Sequence, residues 1–98
     1  MSRDPEQHLR ALKRANEIQL KRRQLKRDVA SGTKTVAEVI LAPPPEALTM
    51  TVDALLQSQR RWGVQRSRKV LAQVPISETK TVGALTDRQR NAIAALLS

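Results

Sequence analysis

The bulky apolar residues after position 35 fall into short clusters in which neighbours are three or four residues apart. That spacing places side chains on one face of an α-helix, whereas a half-buried strand needs strict alternation, and no alternating stretch occurs. Three clusters are followed by Pro43, Gly63 and Pro75, which end helices after a few turns. The sequence therefore predicts an all-α fold built mainly from short helices.

The length and apolar content favour one small domain. Residues 36–97 carry twenty Leu, Ile, Val, Met or Trp residues among the 98 of the chain, enough for one helical core and little more. We expect the short helices to pack around that single core and to be joined by short loops.

A longer first helix is predicted from Asp4-Pro5-Glu6 to Ser31-Gly32. These boundaries combine a capping Asp, a Pro suited to the first turn, and an acid near the positive helix end. Its apolar stripe is thin and consists of Ala11, Ala15, Ile18, Leu25 and Val29. We therefore expect only the part near Leu25 and Val29 to dock on the core, while the first half projects or lies on a partner.

Four short helices are predicted after it. The capping box Thr35-Val-Ala-Glu38 starts a helix that runs through Leu41, and Pro43-Pro44-Pro45 then forms a stiff linker. Two helices lie on either side of Gly63, with the apolar faces Val52, Leu55, Leu56 and Val64, Ser67, Val70, Leu71, Val74. The last helix is expected to use Thr86 or Asp87 as its cap and to bury Ile93, Leu96 and Leu97.

Charge identifies the class of partner. Eighteen Lys and Arg residues against nine Asp and Glu residues give a net charge of +9, concentrated in residues 1–34 and 60–69, with an acidic stretch between them. Such an excess favours a polyanion. Since Trp62 is the one aromatic residue, the usual platforms on which single-strand and RNA binders stack bases are excluded, and a duplex is the better candidate.

The residue types exclude most enzyme classes. The chain has no Cys and a single histidine, His8, so thiol nucleophiles, thiolate metal sites and histidine dyads are absent, and His8 is interpreted as an exposed bystander. No phosphate-binding glycine motif occurs and the carboxylates are scattered singly. We expect no catalysis, metal, cofactor or small-molecule substrate. With no apolar run of about 18 residues and a polar start, we expect no membrane association and a cytoplasmic chain.

A run from Leu55 to Ile76 carries a resemblance to a known family. Leu55-Leu56, Trp62-Gly63, Arg66-Ser67 and Val70 have the spacing of the actinobacterial integration host factor family, a nucleoid-associated group with a helix-two turns-helix motif. The run Leu85-Thr86-Asp87-Arg88-Gln89-Arg90 and the basic first helix extend the resemblance to about 80 residues. The chain resembles a divergent member of this family. Arg61 and Val64 replace typical family residues, Lys80 alone remains of the basic cluster in the family's linker, and Pro43-Pro44-Pro45 is unusual.

The resemblance implies a basic N-terminal helix over residues 1–32 and a short-helix DNA-binding domain over 33–98, with the helix-two turns-helix core at about 52–76. It implies duplex DNA binding with little sequence selectivity, DNA bending or compaction in the nucleoid, and assistance to site-specific recombination with a phage integrase complex. A monomer in solution is expected. The residues expected at the DNA are Arg60, Arg61, Gly63, Arg66, Lys69, Lys80, Arg22 and Lys26.

Several alternatives stay open on sequence grounds. Gly63 either adopts the left-handed conformation to join two helices or lets a phosphate approach backbone amides. Arg66 and Lys69 either form a solvated face or contact phosphate, and Trp62 is interpreted as core rather than a base wedge. The first helix is interpreted as a DNA clamp, a solvated basic face or a membrane-surface helix. The clamp is favoured, because the helix has too few bulky apolar residues for stable membrane insertion. An RNA- or ribosome-binding module is the leading alternative function. A glycosylase-like enzyme is the second, but the sequence is too short for the catalytic N-terminal region and zinc finger of such enzymes.

Overall fold

The computed structural model of the chain describes residues 5–97, which form five α-helices and two 3₁₀ turns. The helices are α1 (Pro5–Ser31), α2 (Val36–Leu41), α3 (Val52–Gln57), α4 (Val64–Gln73) and α5 (Asp87–Leu97), and the 3₁₀ turns are Pro45–Ala47 and Val82–Ala84. Within these residues no strand occurs, and one isolated antiparallel bridge joins Thr51 to Thr81. The predicted all-α fold is confirmed.

Threonine caps begin three of the short helices, and the caps of α2 and α5 lie where the sequence predicts them. The Thr35 hydroxyl accepts a hydrogen bond from the Glu38 amide at 3.1 Å, and the Thr51 hydroxyl accepts one from the Ala54 amide at 3.0 Å. At α5, Thr86 and Gln89 form a reciprocal capping box through bonds of 3.2 and 3.1 Å. These caps satisfy amides that a helix start leaves without partners. The predicted capping Asp4 lies outside the described residues.

Helix α1 docks on the core only through its C-terminal part. Leu25 and Val29 are buried, whereas all residues from 6 to 20 are exposed, including Ile18 at 42%. The 27 residues of α1 extend for about 40 Å, and Gly32 ends the helix at a φ of 83°. The predicted division of this helix into a docked and a projecting part is confirmed.

The core lies among α1, α2, α3, α4 and α5, and two predicted core residues are not in it. Val64 and Leu96 are each 46% exposed. Helix α4 packs through Ser67 and Leu71, and Val64 lies one turn before them, at the surface. In α5 the buried residues are Ile93 and Ala94, and Leu96 is exposed because it lies about 110° around the helix from the middle of the face that these two residues form. The core also receives Ala47 from the turn that begins at Pro45, so the predicted stiff linker ends as a 3₁₀ turn.

One basic residue of α5 serves the fold itself. The Arg90 guanidinium donates to the backbone oxygens of Ile40 at 2.5 Å, Val82 at 3.1 Å and Leu85 at 3.5 Å. The Ile40 carbonyl belongs to the last turn of α2, where carbonyls have no partners within the helix. Arg90 therefore fastens α5 to α2, a role that its sequence position does not reveal.

Residues 48–52, before and at the start of α3, form backbone hydrogen bonds with residues 80–83. The Val52 amide donates to the Lys80 oxygen, and the Val82 amide donates to the Met50 oxygen, both at 2.9 Å. A Cβ at Gly83 would lie 2.9 Å from the oxygen of Leu48, so this close approach of two chain segments requires glycine.

Candidate nucleic-acid interface

The connection between α3 and α4 consists of two successive turns. The Ser58 amide donates to the Ala54 oxygen at 3.1 Å as α3 ends, and the Trp62 amide donates to the Gln59 oxygen at 3.1 Å. Helix α4 then begins after Gly63. Residues 52–73 thus form a helix, two turns and a second helix.

A buried polar contact holds α3 and α4 together on either side of this connection. The fully buried Ser67 hydroxyl donates to one carboxylate oxygen of Asp53 at 2.6 Å, and the Gln57 amide donates to the other at 2.9 Å. The sequence predicts Ser67 only as part of the apolar face of α4. Asp53 and Gln57 both lie on α3, so the Gln57 bond orients the carboxylate and the Ser67 bond joins α3 to α4 across the turn.

Gly63 is the N-cap of α4, and its backbone is not left-handed. Its φ is −98° and its ψ is 179°, which is extended backbone open to any residue. A Cβ added at Gly63 would have no heavy atom within 4 Å. The interpretation of Gly63 as a left-handed helix-joining glycine is therefore wrong. The turn takes its positive φ two residues earlier instead.

Arg61 carries that positive φ. Its φ of 69° lies in the left-handed region, where a residue with a Cβ costs about 1 kcal/mol or more and glycine costs least. Arg61 is also exposed. The chain thus places a charged residue where the backbone favours glycine, and a glycine where the backbone does not need one.

Arg66 lies on the face of the single aromatic residue. The guanidinium carbon of Arg66 is 4.2 Å from the ring centroid of Trp62, within the range of a cation–π contact. Trp62 is partly buried and packs against the core, as the core interpretation requires, while Arg66 is exposed. The exposed Lys69 follows one turn later on α4.

Arg68, on the same helix, has a different environment. Its Nε lies 3.0 Å from a carboxylate oxygen of Glu78, and both side chains are more than half exposed. Arg68 points about 200° around α4 from Arg66. Its charge is thus locally balanced and faces away from that of Arg66.

The docked part of α1 lies beside the end of α3. An open groove of about 590 Å³ runs between the two helices and is lined by Lys26, Arg27, Ala30, Asp53, Ala54, Gln57 and Ser58. Since Ser58 begins the turn, the structure brings the predicted Lys26 to the same region as the turn. Arg27 is not among the predicted residues, although its position between the buried Leu25 and Val29 is a signal that it borders the docked face.

A second depression connects the end of α1 to the turn. It has a volume of about 370 Å³ and is lined by Lys34 and Arg60 together with Gln59, Trp62, Leu97 and residues 29–32 and 35–37. No acidic residue is among these lining residues. Sequence reasoning misses Lys34, because it lies in a loop between two helices and only the fold brings it near Arg60.

Two of the predicted residues lie elsewhere. The Arg22 guanidinium donates to the backbone oxygen of Glu46 at 3.1 Å and to the Thr49 hydroxyl, so it joins α1 to the segment before α3. Lys80 is half-buried, and its backbone oxygen binds the first residue of α3. The turn follows the other end of α3. Because α3 has six residues, the Lys80 backbone and the turn are separated by the length of that helix, about 9 Å.

Across residues 5–97 the structure shows no group of three or more His, Cys, Asp or Glu side chains that could hold a metal ion. None of the helices in this part of the chain is long and apolar enough to cross a membrane.

The fold is similar to that of a solved protein. The structure of sIHF bound to an 8 bp palindromic DNA superposes with a TM-score of 0.78 at 23% sequence identity, over 88% of this chain and 99% of that one. No protein-family model matches the chain, and no curated protein matches it. At this level of identity the similarity establishes a shared fold.

Proposed function

We propose that this chain is a non-enzymatic protein that binds duplex DNA and belongs to the actinobacterial integration host factor family. The DNA surface consists of the turn between α3 and α4, the first turns of α4, and the docked part of α1. Its residues are Arg60, Arg61, Gly63, Arg66 and Lys69, joined by Lys26, Arg27 and Lys34.

The observation that carries this proposal is the choice of residues at positions 61 and 63. The backbone at 61 favours glycine and has Arg, whereas neither the backbone nor the packing at 63 requires the glycine present there. Folding therefore requires neither residue at its position. A phosphate explains both, because Arg61 supplies a positive charge and Gly63 lets an anion reach the first amides of α4, where the helix dipole adds attraction.

The distribution of charge along α1 supports the same surface. Residues 5–20 hold three basic and two acidic residues, whereas 21–34 hold six basic and one acidic residue. The positive charge is therefore concentrated beside the turn and not on the projecting half. We assign the stronger DNA contact within α1 and the loop after it to Lys26, Arg27 and Lys34, and the weaker one to residues 5–20. Arg22 instead attaches α1 to the segment before α3 through its hydrogen bonds.

The shared fold and the sequence motifs together support the family assignment. The sIHF structure contains DNA bound to a protein of this fold. In this chain the pairs Leu55-Leu56 and Trp62-Gly63 and the run from Leu85 to Arg90 have the spacing of the family. With Lys80 half-buried and distant from the turn, the basic residues of this chain are concentrated at the turn, as expected for a divergent member.

We further propose that recognition is largely independent of sequence. Contacts through phosphates position a protein but read no base, and deformability of the duplex then biases the choice of site. We also propose that the protein bends or compacts DNA in the nucleoid and assists recombination with a phage integrase complex, and that it acts as a monomer. We propose that the DNA-binding domain over residues 33–98 folds together with residues 21–32 of α1, because Leu25 and Val29 are buried in its core.

The affinity for a duplex of random sequence should fall steeply with salt. Phosphate contacts from the seven basic residues of this surface give a slope of about −6 in a plot of log K against log salt concentration, by counterion release. Fluorescence anisotropy with labelled DNA between low and physiological salt measures this slope. A flat plot would contradict binding through phosphates. Competition with duplex RNA of the same length is the second arm, and tighter binding of RNA would replace DNA with RNA as the partner.

A further inference from the structure

The single aromatic ring of the chain lies beneath one of the proposed phosphate-binding side chains. The Arg66 guanidinium carbon is 4.2 Å from the Trp62 centroid, and the partly buried Trp62 packs against the core. The ring is held by the fold, whereas Arg66 is on an exposed face. In such a pair the ring determines the position of the cation.

The contact brings the guanidinium back toward the start of α4. Arg66 follows Gly63 by three residues, and helical side chains lean toward the N-terminus of their helix. Stacking on Trp62, four residues earlier, therefore holds the charge over the turn and near the first amides of α4. The edges of a stacked guanidinium keep their N–H donors available for a phosphate.

A free arginine side chain has a large rotamer entropy, part of which is lost when it is fixed on a ligand. The stack limits that freedom before DNA arrives. Arg68 shows the contrast on the same helix, because its guanidinium is held by Glu78 on the other side and cannot serve the turn in the same way.

We propose that Trp62 is a positioning residue, which preorganises the Arg66 guanidinium for a phosphate beside the N-terminus of α4. The proposal rests on the proposed function, since it assumes that Arg66 contacts DNA. Trp62 itself acts through Arg66 and stacks on no base. Its role differs from a purely structural one because its effect on DNA binding requires Arg66.

A double-mutant cycle in the full chain tests this dependence. The dissociation constant for a random-sequence duplex is measured at one low salt concentration for the parent, Trp62→Leu, Arg66→Ala and the double variant. We expect Trp62→Leu to weaken binding about three- to tenfold in the parent, the cost of fixing one long side chain on binding, and less than about twofold in the Arg66→Ala background. Trp62→Phe, which keeps a ring, should restore part of the loss.

Matched controls separate positioning from folding. Arg68→Ala removes the same charge from the same helix, and Trp62→Leu should weaken binding equally with or without it. Circular dichroism establishes that each variant is folded at the temperature of the titration, and if Trp62→Leu unfolds, the same cycle is run with Trp62→Phe.

The possible outcomes are distinct. Equal losses from Trp62→Leu in the parent and in the Arg66→Ala background would overturn the positioning role and leave the DNA surface in place. The positioning role is likewise overturned if Trp62→Leu binds DNA like the parent while Arg66→Ala does not. If Arg66→Ala itself binds like the parent, there is no cation to position and this inference fails, whereas the proposed DNA surface fails only if the salt titration also gives a flat plot.

Discussion

Replacing Gly63 with aspartate is expected to lower the affinity for duplex DNA by about a hundredfold without destabilising the protein. Asp is a favoured N-cap, its Cβ meets no atom within 4 Å, and the φ of −98° suits any residue, so the free energy of unfolding should be unchanged or up to about 1 kcal/mol higher. The carboxylate would occupy the first amides of α4 and repel a phosphate. Fluorescence anisotropy and urea unfolding measure the two effects.

Gly63→Asn is the matched control for this change. Asparagine has nearly the same size and caps helices equally well but carries no charge. We expect an affinity between those of the parent and Gly63→Asp, with similar stability for all three proteins. If Gly63→Asp binds DNA as tightly as the parent, no phosphate approaches the start of α4.

The second large effect is expected at Arg61, where stability and binding should move in opposite directions. Arg61→Gly relieves the cost of a left-handed backbone at a φ of 69°, so the free energy of unfolding should stay the same or rise by up to about 1 kcal/mol. Loss of the charge should lower the affinity for DNA about tenfold, as expected for one charge-assisted phosphate contact. Thermal unfolding and anisotropy on the same preparation give both values.

Two controls accompany Arg61→Gly. Arg61→Lys keeps the charge and the backbone cost, and it should bind DNA within about threefold of the parent. Arg68→Ala removes a charge that Glu78 balances, and it should have little effect on affinity. A variant Arg61→Gly that binds DNA like the parent would show that the charge at the turn has no role in binding.

The local signals in the sequence predict the helices well, because helix starts depend on residues close in the chain. The capping residues Thr35, Thr51 and Thr86 each accept a hydrogen bond from an amide three residues later. Burial is predicted less well at helix ends. Val64 fits the apolar face of α4 by spacing, yet it is exposed, since spacing cannot show where a packing partner stops.

Contacts between distant parts of the chain are beyond sequence reasoning. Arg22 and Arg90 bind backbone oxygens 24 and up to 50 residues away, and nothing near them in sequence distinguishes them from DNA-binding arginines. The sequence accordingly predicts Arg22 as a DNA-binding residue, whereas in the structure its guanidinium binds the segment before α3. Lys34 escapes prediction for the converse reason, because only the packed structure brings it beside Arg60.

The turn itself is located correctly from the sequence, but its backbone is not. One of the two interpretations open on sequence grounds gives the left-handed conformation to Gly63, as the residue type that adopts it most easily. The structure gives that conformation to Arg61, against its local preference. Such a choice is visible only when dihedral angles are known, and it is the feature that most strongly indicates a ligand at this turn.

The central claim is that duplex DNA binds at the turn between α3 and α4 together with the docked end of α1. Backbone amide chemical shifts of the ¹⁵N-labelled full chain, recorded during titration with a short random-sequence duplex, test it most directly. We expect the largest shifts at residues 60–69, with the amides of Gly63, Val64 and Gln65 foremost, and further shifts around Lys26, Arg27 and Lys34. Shifts confined to residues 5–20 or to α5, with the turn unchanged, would contradict it.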